Sequence, residues 1–540
     1  MTTLRNLLTA LIIPVLFGVS LFLFTWGVGS LEVIGFESRF YMFALEMWRN
    51  GISWFPTTYG DLYPDYLGTS TWLICISGLL LGGMSKLAAV LPTAIAASLT
   101  VVLTYMIGAL RFKRFGYYAV LFLLMTVMFV KSGRSIALDI YPALVTTACF
   151  YLIYSADVLD KREREWWIYP LMLLGFAFRG PIGLIIPVGV ICLYYLLTRN
   201  FKHLFFTAAF SLLLLIVSCF MMLQLANHVG GDTFVKEVLT MQVIGRMEDS
   251  HISYLYYFKN SLTDYALSFP LAALASIGIV YYKFRLHQQP KDLKLLVVLL
   301  GWCAVVLLGM SIPGDKKERY ILSIAPALSL MAAYFFVSKY SERFFYRVQW
   351  IMIRVFIFFP AILFVFLRMV LSYATKNAQS FGINYLLMTQ ILFISLAINL
   401  ILFICLEKKQ EWRDTGILTI AAFCFMACYI GVVEPVQQFT DRTREFVTAM
   451  EASRLDAQAQ LVFYHENRDG LPIKYLINAR SDAAPQFAYT DQALMSVRAP
   501  SYFVTSKSYF DAMPADVQSH FKLVSSDLIG HVQVVVFTQK

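Results

Sequence analysis

The sequence predicts a polytopic α-helical membrane protein of about 13 transmembrane helices with a small C-terminal soluble α/β domain. Three observations carry that expectation. Hydrophobic residues fill 59% of the 540 positions and charged residues only 14%, with a mean hydropathy of +0.65, more apolar surface than any water-soluble fold needs. Apolar runs close to the ~20 residues of one bilayer crossing recur along residues 1–433. Beyond Glu434 these runs stop and short strand-like pieces replace them.

In chain order, spans are expected near 7–26, 87–110, 117–131, 137–155, 166–179, 182–198, 204–224, 264–282, 295–312, 321–338, 348–370, 383–406 and 415–433. Residues 1–24 carry one Arg and then a long apolar run without a small-residue cleavage site, so they read as an uncleaved first span. One set of loops is densely basic: Arg111, Lys113 and Arg114; Lys161, Arg162 and Arg164; Lys283, Arg285, Lys291 and Lys294; Lys339, Arg343 and Arg347; and Lys408, Lys409 and Arg413. By the positive-inside rule these loops and the N-terminus are cytoplasmic. The opposite loops, 27–86, 225–263 and 313–320, and everything after Glu434 then face outward. The net charge of +10 is spread through those short clusters, which argues for a bilayer and against a nucleic-acid partner.

The first outer loop, 27–86, opens with Gly35 to Gly51, where Phe36, Phe40, Phe43 and Met47 share one helical face and Arg39, Glu46 and Asn50 another. Glu37 suits the N-terminus of such a helix and Arg49 its C-terminus, with Gly51 placed to stop it. On pattern alone it is either a plain interfacial helix with its charges in water or a site-forming helix. Asp61 and Asp65 follow in a stretch punctuated by proline and glycine.

Asp139 opens the fourth span, at a depth where an unpaired carboxylate costs several kcal/mol. Arg134 is the nearest candidate partner, and a charge complementing the helix dipole is the alternative. Arg179 sits with Gly180 and Pro181 at a tight outer hairpin, suited to a phosphate or to lipid headgroups. A further outer loop holds Arg246, Glu248, Asp249 and His251. Lys316, Lys317 and Arg319 place three cations in one brief outer loop, against the orientation rule, and an anionic ligand is the simplest reason.

In the tail, strands are expected at Leu461 to Tyr464, Tyr502 to Val504 and Val532 to Phe537, with a helical stretch from Asp511 to His520. No phosphate-binding or dinucleotide glycine motif occurs. The eight cysteines lie in or beside apolar runs, consistent with packing rather than with disulfides or structural zinc.

Four motifs in one order resemble the GT-C fold glycosyltransferases, in particular the bacterial aminoarabinose transferases acting on lipid A and the related protein O-mannosyltransferases. They are E-S-R-F with A-L-E-M-W-R-N-G in the first loop, R-S-I-A-L-D before span four, F-R-G-P between spans five and six, and P-G-D-K-K-E-R-Y-I-L after span nine. The resemblance spans roughly residues 30–335. It implies a GT-C-like transmembrane domain over 1–433, an extracytoplasmic domain over 434–540, and residence in a bacterial inner membrane. It also implies a sugar donor on a polyprenyl phosphate, transfer of a hexosyl or pentosyl group with inversion, and a lipid, glycan or protein acceptor.

By position, the resemblance offers Glu37, Asp139 and Asp65 as catalytic acids, and Arg39, Arg134, Arg179, Lys316, Lys317 and Arg319 as ligands of the donor phosphate. Phe36 stands where the family usually has its first acid, so Glu37 becomes the leading candidate base. Tyr66, Leu67 and Gly68 replace a K-P-P run. No cofactor is called for, and a divalent metal is left open. Two other classes fit the same charges: a transporter or flippase of lipid-linked substrates, and a non-catalytic glycolipid-binding assembly factor. Acids gathered at the outer ends of spans, rather than at mid-membrane, favour an interfacial enzyme over transport.

Overall fold

The computed structural model describes residues 2–244, 252–284, 293–338, 343–377, 379–441, 443–453, 459–479 and 485–540. Arg246, Glu248, Asp249 and His251 of the expected outer loop, and Arg285, Lys291 and Lys339 of the basic loops, lie outside those residues. Among the described residues nine helices are long and apolar enough to cross a membrane, or eleven when two bent pairs are each read as one span. The expected thirteen exceeds this by two. The expected spans 166–179 and 182–198 are the helices Ile168–Arg179 and Pro181–Leu197, of 12 and 17 residues. At 1.5 Å per residue they reach only ~18 and ~26 Å, less than the ~30 Å of a hydrocarbon core.

The bent pairs replace two expected straight spans. Lys113–Leu124 and Val127–Gly133 meet at 78°, and Tyr256–Asp264 and Ser268–Tyr282 at 116°. The first bend delivers the chain into Arg134 to Asp139, and the second sets a short helix against residues 318–324. The expected loop 225–263 is also partly helical. The 39-residue helix Phe201–Leu239 runs into it as far as Leu239, leaving helical geometry only at Gly231, whose φ is 69°. Its apolar run ends near Leu225, so hydropathy alone cuts the helix short.

The first loop is built as its apolar spacing suggests. The helix Glu37–Asn50 ends at Gly51, which takes a φ of 96° and donates its amide to the Met47 carbonyl at 3.0 Å. Phe40, Phe43 and Met47 are buried, as expected of one face. The reading in which its charges face water fails for both acids, because Glu37 and Glu46 are buried too. Glu46 accepts the amides of Tyr59 and, at 3.3 Å, Gly60. It thereby pins the helix to a tight antiparallel hairpin, Thr57–Thr58 with Asp61–Leu62. Phe40 packs on Tyr66 at 5.6 Å between ring centroids and Phe43 on Tyr63 at 4.8 Å, while Tyr63 and Tyr66 stack at 6.1 Å. This aromatic block fixes the position of Asp65 between the two tyrosines.

The tail forms one five-stranded sheet from β1 (Gln460–Tyr464), β2 (Gln486–Ala488), β3 (Ser501–Ser506), β4 (Phe521–Ile529) and β5 (Val532–Gln539). The strand order is β2-β1-β3-β5-β4, parallel among the first three and antiparallel for β5 against both neighbours. Alternate residues feed two apolar clusters: Phe463, Val504, Val534 and Val536 in one, and Val462, Phe503, Val535 and Phe537 in the other. The stretch Asp511 to His520 is not one helix: Lys507–Asp511 ends at its start and the single turn Ala515–Gln518 follows Pro514. The composition break at 434 falls inside a helical stretch that continues from Gln410 to Thr440.

Candidate active site

Asp139 stands just before the helix Ile140–Leu159, but its carboxylate makes no capping hydrogen bond there. It is held instead by two guanidinium groups, with Arg179 Nε 3.1 Å from Oδ1 and Arg319 Nε 3.0 Å from Oδ2. Asp139 and Arg179 are 7% and 5% exposed, so this triad is desolvated and its geometry is tightly constrained.

Two local devices aim the arginines. Arg179 closes the helix Ile168–Arg179 at Gly180, whose φ of 61° and ψ of −150° belong to glycine territory. The returning helix approaches so closely that a Cβ on Gly183 would lie 2.0 Å from the Gly175 carbonyl oxygen. Gly183→Ala is therefore expected to lower stability by ~1–3 kcal/mol through overpacking, read as a lower denaturation midpoint in detergent. An unchanged midpoint would mean the hairpin is loosely packed. Arg319 lies in the tight turn Glu318–Ile324. The Glu318 carboxylate accepts from the Tyr256 hydroxyl and from Asn260 at 3.3 Å, and its carbonyl accepts from the Tyr265 hydroxyl at 3.0 Å. The second bent helix pair thus fixes the turn that presents Arg319.

Aromatic rings wall the triad. The Arg179 guanidinium lies 5.1 Å from the Tyr66 ring centre and 5.6 Å from that of Tyr320. That of Arg319 lies 4.7 Å from Phe36 and 5.6 Å from Tyr320. Phe36, at the position where the resemblance places an acid, is thus packed on a site cation. Asp65 is half-buried beside this wall. Gln242 donates to its backbone carbonyl and, at 3.4 Å, to its Oδ1, and the Asp65 charge acts on both Arg39 and Arg179.

Arg39 stands at the rim, 5.7 Å from the centre of the Tyr63 ring. Burial opposes its charge, but Tyr63, Asp469, Tyr66 and Asp65 outweigh that, and its pKa is raised. Burial pushes the Tyr63 hydroxyl well up, so it stays protonated and donates to Asp469 Oδ2 at 3.1 Å. Lys317 is half-exposed, 3.5 Å from Asp315 and 5.7 Å from the centre of the Tyr320 ring. Lys316 is buried and turns elsewhere, donating to the Ile252 carbonyl at 3.5 Å with the Tyr254 ring centre 5.4 Å away.

One sequence-derived pairing needs correction. Arg134 is not the partner of Asp139. Its Nε and Nη2 bind Glu434 at 2.6 and 2.8 Å, while Nη1 and Nη2 donate to the carbonyls of Leu23 and Trp26. All three nitrogens are engaged inside the protein, which suits a structural tie better than a phosphate ligand. Glu37 is likewise committed, with Lys86 Nζ 2.9 Å from Oε2 and the Ile136 amide donating to Oε1 at 3.0 Å. It lines a cavity of about 260 Å³ together with Lys86, Arg134 and Glu434. Among the described residues no three His, Cys, Asp or Glu side chains gather as metal ligands.

Tyr320, Gln242, Lys86 and Glu434 were not singled out by sequence reasoning. For Lys86 and Glu434 the signal was present: each is a lone charge at the edge of an apolar run, where a buried partner is required. For Gln242 there was none.

Comparison with known proteins bears on this geometry. Residues 69–228 match the family model described as dolichyl-phosphate-mannose-protein mannosyltransferase. The crystal structure of ArnT from Cupriavidus metallidurans in the apo state superposes with a TM-score of 0.72 at 16% identity, covering 99% of this chain and 98% of that one. The chain has the GT-C fold. The same ArnT bound to undecaprenyl phosphate gives a TM-score of 0.69 at 16% identity, with the same coverage. An uncharacterized protein of Aquifex aeolicus (strain VF5) is 26% identical over 313 residues, 56% of this chain and 68% of its own length. The expected GT-C-like membrane domain with a small C-terminal sheet domain is therefore borne out.

Proposed function

We propose that this GT-C protein is a membrane glycosyltransferase that moves a hexosyl or pentosyl group from a polyprenyl-phosphate carrier to a lipid, glycan or protein acceptor. The observation that carries the reading is Asp139 clamped between Arg179 and Arg319 beneath Tyr66, Tyr320 and Phe36. A prefixed pair of guanidinium groups at the ends of spans suits a departing lipid phosphate, whose charge grows as the glycosidic bond breaks. ArnT binding undecaprenyl phosphate on the same fold supports such a carrier. The basic-loop asymmetry supports a site at the outer face of a bacterial inner membrane, with the N-terminus cytoplasmic and the C-terminal domain periplasmic.

In the proposed reaction an acceptor hydroxyl oxygen attacks the anomeric carbon in line with the phosphate, which inverts that centre. The bond from carbon to phosphate oxygen breaks, its electron pair leaves with the phosphate, and a general base takes the hydroxyl proton. We assign the base to Asp65. It is half-buried, and its charge acts on both Arg39 and Arg179. Glu37 and Asp139 are buried, with both oxygens of each facing a fixed cation or amide. Arg179 and Arg319 would hold the phosphate and Arg39 would complete the cation set at the rim.

Membranes of cells lacking the protein are expected to accumulate a polyprenyl-phosphate sugar that disappears on complementation, measured by mass spectrometry of extracted lipids. A carrier profile identical to that of the parent would argue for another function.

A further inference from the structure

The C-terminal domain reaches into the first loop through a short segment after β1. His465, at a left-handed φ of 51°, turns the chain outward. Buried Glu466 accepts the Ser506 amide at 2.6 Å and roots the turn in the sheet. Within the turn, the amides of Asp469 and Gly470 donate to the Asn467 side chain and carbonyl at 3.0 and 3.1 Å. The result is a stiff projection from a folded sheet. Arg468 pairs with Asp61 at 2.8 Å and accepts the Tyr59 hydroxyl on its carbonyl at 2.7 Å, so the projection is docked on the hairpin of the first loop.

Asp469, at its tip, meets the site cation. Arg39 Nη2 is 3.4 Å from its carbonyl oxygen and 3.9 Å from Oδ2, and the Tyr63 hydroxyl donates to that same Oδ2. Both contacts to Arg39 fall on one nitrogen of a group with five N–H donors. They can therefore fix the direction of the guanidinium without exhausting it. The long Arg39 side chain is a third exposed, at 32%. A side chain so placed loses its orientation when its anchor is removed.

We infer that Asp469 is a positioning residue of the transferase site: the C-terminal domain supplies the carboxylate that aims Arg39 at the donor phosphate. This rests on the proposed polyprenyl-phosphate donor. It gives the soluble domain a part in donor recognition.

The test is a double-mutant cycle on binding of undecaprenyl phosphate by the full-length protein in detergent. Arg39→Ala, Asp469→Ala and Asp469→Asn are each expected to weaken binding by about 5- to 20-fold, and Arg39→Ala combined with Asp469→Ala by no more than the larger single effect. Asp469→Glu should recover affinity to within about threefold of wild type, and Arg468→Ala should leave it within twofold. A merely structural Asp469 would lower the denaturation midpoint yet combine additively with Arg39→Ala, which would overturn the inference. Wild-type protein that binds no undecaprenyl phosphate would overturn the donor reading and, with it, this assignment. Wild-type binding with an additive cycle would sink the positioning role alone.

Discussion

Replacing Asp139 with alanine is expected to silence transfer and to weaken the fold together. The carboxylate is the anion shared by Arg179, which is 5% exposed, and Arg319, whose side chain is 19% exposed. Removing one partner of a buried pair leaves charge without compensation, typically at a cost of ~3–5 kcal/mol. Denaturation in detergent should show that loss, and turnover with a polyprenyl-phosphate sugar should fall below detection because Arg179 and Arg319 both lose their fixed direction. Asp139→Asn keeps the shape but only one acceptor oxygen, so one arginine faces its NH2 group; it should fold more stably than Asp139→Ala and still transfer poorly. An Asp139→Ala protein with parental stability and rate would mean that the triad does not form.

The second large effect separates the candidate bases. Asp65→Asn is expected to lower turnover by ~10²-fold or more while affinity for undecaprenyl phosphate is largely retained, the pattern of an interaction needed in the transition state. Glu37→Gln should act differently. It leaves Lys86 charged and buried, so the loss should appear in stability, while the folded fraction turns over within a few-fold of wild type. A stably folded but inactive Glu37→Gln protein beside an active Asp65→Asn protein would return the base to Glu37. Full activity in both would remove the general base from the first loop altogether.

Periodicity was informative where it reflected burial. The spacing of Phe40, Phe43 and Met47 marked the first-loop helix, and Gly51 its end, because a helical face and a left-handed stop are local properties. The grouping of Asp139, Arg179 and Arg319 was legible only as three charges at the ends of apolar runs. Their pairing depends on how distant helices pack, and proximity in sequence pointed wrongly to Arg134. Glu37 shows the same limit: its partner Lys86 opens another span, and that pairing too depends on how distant segments pack. The bends after Leu124 and after Asp264 were hidden because hydropathy measures how apolar a run is, not whether it is straight. Asp469 could not be read at all from a polar turn in a soluble domain.

The tie between Arg134 and Glu434 also has a meaning for biogenesis. These residues are separated by 300 positions, and Arg134 simultaneously grips the carbonyls of Leu23 and Trp26 at the end of the first helix. A ribosome feeding this chain into the bilayer delivers Arg134 long before its carboxylate exists. Until the helical stretch from Gln410 to Thr440 arrives, that guanidinium has backbone oxygens and whatever water or lipid it can recruit. The segment leading to Asp139 is therefore locked by the last membrane helix to be made, so nascent chains stopping short of residue 434 would carry every motif of the triad and still lack the clasp that sets it in place.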